Sequence, residues 1–184
     1  MGDIDDALDR AGQEAFTKEP PKTIKGRVGF LMRRLGTTRA VAAEIGVTQR
    51  AVERYITGQR KNPPRDVAAR IDAAVRTRWQ PRVRSRARKQ AAATTGITIE
   101  TRARFGYTAP TGTTDDGRFR RLTVHLPPEY AGRLFDAQRD GASDATMRAI
   151  VAEGLQETYF KDGGRRADHL EVELNDIDYI DVSF

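Results

Sequence analysis

The stretch TTRAVAAEIGVTQRAVERYITGQR, residues 37–60, decides the reading of the first half of the chain. Ala42, Gly46 and Val52 stand four and then six residues apart. That spacing supplies a small residue where two helices cross, a glycine for a left-handed turn, and a β-branched anchor in the second helix. Val41, Ile45, Val47 and Tyr55 fill the other inward positions, and Thr48 is placed to cap the second helix. Gln49, Arg50, Glu53 and Arg54 then face outward, each able to bond base edges or phosphates. A helical hairpin with a polar outer face would share the apolar pattern; the surrounding basic charge favours DNA binding.

Working outward, Ile24, Val28, Leu31 and Leu35 mark a preceding amphipathic helix stopped by Gly36. Beyond the hairpin, Arg60 and Lys61 add cations, and Pro63-Pro64 opens a helix with Val67, Ile71 and Val75 on one face. Trp79 reads as a lid on that core. Residues 23–79 are therefore expected to form an all-α helix-turn-helix domain. The 184 residues carry a formal net charge of +6, with 32% charged and 38% hydrophobic side chains. The pI near 9.9 points to a polyanion partner.

Charge is segregated along the chain. Residues 1–19 hold Asp3, Asp5, Asp6, Asp9, Glu14 and Glu19 against Arg10 and Lys18, and residues 1–22 read as an acidic flexible arm. Residues 76–89 hold Arg76, Arg78, Arg82, Arg84, Arg86, Arg88 and Lys89 with no acid. Residues 80–95 lack apolar periodicity and read as a flexible basic linker whose Arg82, Arg84, Arg86, Arg88 and Lys89 track phosphates.

The period then changes to two. Ile97, Ile99, Ala103 and Phe105 alternate with Thr98, Glu100, Arg102 and Arg104; Leu122, Val124 and Leu126 alternate with Arg121, Thr123 and His125. Two strands around the turn-rich GYTAPTGTTDDG, 106–117, read as a hairpin with a long exposed tip. PEYAGRLFDAQRD (128–140) and SDATMRAIVAEGLQETYF (143–160) read as two helices split at Gly141. The fold class is thus α+β: a helix-turn-helix domain, a basic linker, and a small strand-and-helix domain over 96–160. The segment 121–160 also resembles a ribbon-helix-helix module, with Arg121, Thr123 and His125 facing the groove. The acidic tail 161–184 alternates Leu170, Val172 and Leu174 with Glu171 and Glu173, and serves either as an edge strand for a partner or as a strand of the chain's own sheet.

Several chemistries are excluded. There are no cysteines, and the two histidines, His125 and His169, lie far apart, so no metal site or other cofactor is expected. Asp115-Asp116 suits a turn, and Ser85, Ser143 and Ser183 lack a nucleophile-elbow context. No apolar run reaches membrane-spanning length and the start lacks a secretory signal, so a cytoplasmic location is expected, with no membrane partner. An intrinsic enzyme is not expected. The loop 106–117 nevertheless offers Tyr107, Thr108, Thr111, Thr113 and Thr114, flanked by Arg118, Arg120 and Arg121. A hydroxyl there can enter another enzyme's active site as a nucleophile, with the arginines holding phosphates.

Three sets of motifs, GTTRAVAAEIGVTQRAVERYITGQRKNPP with the arginine-rich arm, TAPTGTTDDGRFRRLTVHLPPEY, and DIDYIDVSF, make the chain resemble the telomere terminal protein family (Tpg type) of linear Streptomyces replicons. The resemblance runs through nearly all 184 residues. It implies a protein joined covalently to DNA 5′ ends that primes end-filling synthesis. The implied partners are telomeric DNA (single-stranded overhang, duplex or both), a telomere-associated recruiting protein and a DNA polymerase, with self-association also open. It implies a location in the nucleoid at DNA ends, and it assigns the priming hydroxyl to a threonine of TGTT: Thr114 first, Thr113 second. The rival readings are a dimeric helix-turn-helix transcriptional regulator and a nucleoid DNA-binding protein.

Overall fold

The computed structural model describes residues 2–108, 118–161 and 171–184. The chain divides into two compact units, Phe16–Val83, and Arg84–Phe184 together with Met1–Ala15. The architecture is α+β, mostly helical in its first half, with one three-stranded antiparallel sheet.

In Phe16–Val83 four helices, α2 (Ile24–Leu35), α3 (Thr38–Ile45), α4 (Gln49–Thr57) and α5 (Arg65–Arg78), share one core. Val28, Leu31, Val41, Ile45, Val52, Tyr55, Ile71 and Val75 are buried in it, the periodic positions expected from the sequence. Threonines start three of these helices: Thr23, Thr37 and Thr48 accept from the backbone N–H of Gly26, Ala40 and Ala51 at 3.1, 3.1 and 3.2 Å. Gly46 ends α3 in the left-handed conformation with φ 63°, where a side chain would be strained. Arg70 packs beside it and donates from Nε to the Ile45 carbonyl at 2.8 Å, satisfying one of the groups a helix end leaves open. Trp79 sits edge-on to Phe30, ring centres 5.0 Å apart, and its indole N–H donates to the Lys18 carbonyl at 2.7 Å. It is thus a lid on the core.

The other unit departs from the sequence reading at both ends. Residues Asp3–Glu14 are not an arm but a helix, α1, with Ile4, Ala7, Leu8 and Ala11 buried in the second core. Those positions follow the i, i+3, i+4, i+7 stripe of an amphipathic helix, and its acids flank the stripe, Asp5 and Asp9 half-buried. Leu8→Ala removes a fully buried side chain and is expected to lower unfolding free energy by about 2–5 kcal/mol. Chemical denaturation followed by circular dichroism checks this; a flexible arm would give no change.

Residues Pro81–Gln90 form a helix, α6, followed by a π-helical turn at Ala91–Thr95, where a flexible linker was expected. Strand β1 (Ile97–Thr108) begins after Gly96, whose φ is 68°. A Cβ there would stand 2.2 Å from the Leu126 carbonyl oxygen, so only glycine fits this crossing. β1 is the central strand: β2 (Arg118–Leu126) pairs on one side and β3 (Glu171–Ser183) on the other, both antiparallel. Residues 121–160 are therefore not a free-standing ribbon-helix-helix module, because β2 finds its partner within the chain, Arg121 opposite Arg102 and Leu126 opposite Ile97. Two helices, α7 (Pro128–Arg139) and α8 (Asp144–Leu155), cover the inner face through Leu134, Phe135, Met147, Val151 and Leu155.

The tail supplies β3, so it completes the chain's own sheet. Register shifts between Arg102 and Phe105 mark an irregularity in its pairing, beside Thr101, the buried polar residue of the sheet. Its hydroxyl donates to the Tyr179 carbonyl at 2.8 Å, which satisfies it. Three more backbone groups of β3 are held by side chains. Gln156 Oε1 accepts from Val172 N–H at 2.8 Å, Arg148 donates to the Asn175 carbonyl at 2.8 Å, and Arg10 to the Ile180 carbonyl at 2.9 Å. Such side-chain bonds blunt an edge against pairing with another strand.

Candidate nucleic-acid interface

In α4 the alternation of apolar and polar residues separates two faces. Val52 and Tyr55 are buried, while Thr48, Gln49, Arg50, Glu53 and Arg54 are exposed, with Arg60 and Lys61 exposed just beyond. Among the described residues, Arg50, Arg54, Arg60 and Lys61 form no salt bridge. The other arginines of this unit's core are differently used: Arg27 pairs with Asp72 at 3.3 Å, Arg70 with Asp66 at 3.1 Å, and Arg78 with Glu44 at 2.9 Å. The Arg60 guanidinium lies over the Tyr55 ring at 5.7 Å, which holds it beside the helix end. In this unit Lys22, Arg27, Arg70, Arg76 and Arg78 pair with carboxylates, whereas the four cations on the α4 side, like Arg33, Arg39 and Arg65 elsewhere in the unit, form no salt bridge among the described residues.

The same division runs through α6. Arg82, Arg86 and Lys89 are exposed and fall at i, i+4 and i+7, one face of the helix. Arg84 and Arg88 point the other way, toward α1. Arg84 Nη2 lies 3.7 Å and Arg88 Nη2 3.5 Å from Asp9 Oδ1. Arg88 also donates to Gln138 Oε1 at 2.6 Å, and its guanidinium stacks over Phe135 at 5.2 Å. Gln138 in turn donates to Asp5 Oδ1 at 2.6 Å. Burial is the main cause that lowers the Arg88 pKa, with Arg84 adding repulsion. Arg84 and Arg88, expected as phosphate contacts, are instead fastened inside the fold. Arg88→Ala is accordingly expected to lower stability by about 2 kcal/mol. Arg86→Ala should leave the melting temperature unchanged while weakening DNA binding at low salt. Paired thermal and binding measurements on the two variants check that division.

On the sheet, side chains of the outward face meet at the β1–β2 hairpin. Glu100 Oε1 accepts from Arg121 at 3.2 Å (Nε) and 2.6 Å (Nη2), and from the Tyr179 hydroxyl at 2.9 Å. The Arg121 bonds first, then the Tyr179 hydroxyl, hold the Glu100 carboxyl below the usual carboxylate range. Desolvation, and then the bond to Glu100, raise the Tyr179 pKa. Arg102 bonds Asp178 and its guanidinium lies 5.5 Å from the centre of the Phe119 ring. His125 Nδ1 and Thr98 Oγ1 stand 3.2 Å apart farther along the same face. Arg120 is exposed at the end of β2. Thr113 and Thr114 lie outside the described residues, as does the side chain of Arg118.

The sequence reading did not single out Phe119, Glu100 or Tyr179 as site residues. The signal was present for Phe119: it is in phase with Arg121, Thr123 and His125, so the alternation already put it on the outer face. Tyr179 required the β1–β3 register, which no local pattern supplies.

Among the described residues no cluster of His, Cys, Asp or Glu is arranged to hold a metal ion, and no helix is long and apolar enough to cross a membrane. Comparison of the chain with known protein families, with curated proteins and with solved structures gives no match.

Proposed function

We propose that this chain is a covalent terminal protein of linear DNA: it binds end DNA through α4 and presents a threonine hydroxyl, Thr114, as primer to a partner DNA polymerase. The observation that carries the DNA-binding half is the row of exposed cations on the outer side of α4, the second helix of the α3–Gly46–α4 turn. The fold neutralises Arg27, Arg70 and Arg78 with carboxylates and leaves Arg50, Arg54, Arg60 and Lys61 on one exposed side beside a Thr48-capped helix start. Holding unpaired like charges together raises self-repulsion, which a polyanion relieves by displacing its own counterions. The priming half is supported by the resemblance of the chain to the terminal protein family, and by the hydroxyl-rich segment 109–117 being carried between two paired strands.

In the priming step the Thr114 Oγ attacks the α-phosphorus of a deoxynucleoside triphosphate. An O–P bond forms, the bond from the α-phosphorus to the oxygen bridging to the β-phosphorus breaks and pyrophosphate departs with its electron pair, and the hydroxyl proton passes to a base of the polymerase. The polymerase supplies the metal ions and the alignment. A separate telomere-associated protein brings the chain to the end. This chain then acts as nucleotide acceptor, not as an enzyme.

The test is mass spectrometry of the protein isolated from its own cells under denaturing conditions after nuclease digestion. A residual nucleotide on the peptide containing 106–117 is the expected result. Quantitative recovery of that peptide unmodified would reject the primer role and leave a helix-turn-helix regulator.

A further inference from the structure

We infer that the outward face of the β1–β2 hairpin is a binding site for single-stranded nucleic acid, with Phe119 as the stacking platform; this deepens the reading above, since a primer must work against a single-stranded template. Phe119 is 53% exposed, one of two large hydrophobic side chains so exposed among the described residues. It stands on β2, opposite Arg104 in the register, with the Arg102 guanidinium at 5.5 Å from its ring centre. One register step along, Arg121 lies opposite Arg102, and its guanidinium is 6.0 Å from the Tyr179 ring. Two aromatic–guanidinium pairs therefore sit side by side on one sheet face. Aromatic rings accept any unpaired base, and guanidinium planes stack on bases while bonding the phosphates between them.

Charge fixes the path of the strand. On the outward face β1 and β2 carry Arg102, Arg104 and Arg121 against the single acid Glu100. β3 carries Glu171, Glu173, Asp176, Asp178 and Asp181 with no base. A polyanion is thus drawn over the hairpin and kept off β3. Arg121 and Arg102 remain accessible, with 72% and 53% of their side chains exposed despite their carboxylate partners. A duplex hides its base faces and makes no use of an exposed ring; a single strand does.

The experiment uses the full chain and a fluorescein-labelled oligo(dT) of ~20 nucleotides, in excess unlabelled duplex that occupies the α4 side. Fluorescence anisotropy is expected to show oligo(dT) binding that weakens about tenfold in Phe119→Leu and is retained in Phe119→Tyr. Melting temperature and duplex affinity should be those of the unaltered chain in both variants. Irradiation of the complex with bromouracil-substituted oligonucleotide should crosslink a peptide containing Phe119 or Tyr179. Unchanged oligo(dT) affinity in Phe119→Leu, or crosslinks confined to Phe16–Val83, would overturn the assignment. The two readings fail separately: nucleotide attachment at 106–117 with oligo(dT) binding indifferent to Phe119 removes the face and keeps the primer. Phe119-dependent binding without attachment does the reverse.

Discussion

Thr114→Val is expected to abolish nucleotide attachment in an assay holding the chain, its polymerase, divalent metal and a labelled deoxynucleoside triphosphate. Valine matches threonine in shape and replaces only the hydroxyl by a methyl group, so the change removes the nucleophile and little else. No neighbouring group substitutes for it unless it reaches the same point, because an in-line displacement requires the attacking oxygen near 3–3.5 Å from the phosphorus. Labelling should therefore fall to background, while duplex binding, which the proposal places on α4, stays within about twofold. Thr113→Val should keep most of the labelling. The reverse pattern would move the primer to Thr113. Full labelling in both single variants and in the double would remove the loop from the chemistry. A gel of denatured, radiolabelled protein reads all of these outcomes directly.

How much of this was legible in the sequence varies with how local the cause is. The helix-turn-helix half was readable because every determinant lies within a few residues of its effect. Thr48 caps the helix it begins, Gly46 turns where its φ is 63°, and Val52 and Tyr55 are buried at helical spacing. The hairpin strands were readable for the same reason, through their two-residue alternation. α1 was not, although Ile4, Ala7, Leu8 and Ala11 form a regular stripe, because the acidic residues between them dominate any count of charge. α6 had no apolar stripe to find. Its inner face is made of Arg84 and Arg88, whose burial depends on Asp9, Gln138 and Phe135, residues remote in sequence. The acids of the first segment and the bases of the arm, read as two opposed tails, are partly one another's partners inside a single unit. The ribbon-helix-helix likeness failed for a related reason. β2, proline and two helices are all present, but Gly96 lets β1 approach close enough to take the partner place that the likeness gave to another copy.

The double substitution Arg50→Ala with Arg54→Ala should weaken binding to duplex DNA about 100-fold at low salt, as two arginine contacts of one to a few kcal/mol each imply. Both side chains are exposed and form no salt bridge among the described residues, so the fold loses nothing and the melting temperature should not move. The slope of log affinity against log salt should become shallower by about two, one for each phosphate contact given up. Arg78→Ala is the control that separates interface from scaffold. It breaks the 2.9 Å bridge to Glu44 and should lower stability while leaving the salt slope intact. Base readout is distinguishable from phosphate contact in the single variants. An arginine that bonds a guanine edge loses affinity only on the preferred sequence, whereas one on a phosphate loses it evenly across sequences. Undiminished duplex binding by the double variant, together with an unchanged salt slope, would take DNA away from α4. The exposed stripe Arg82, Arg86 and Lys89 of α6 would then be the next surface to neutralise.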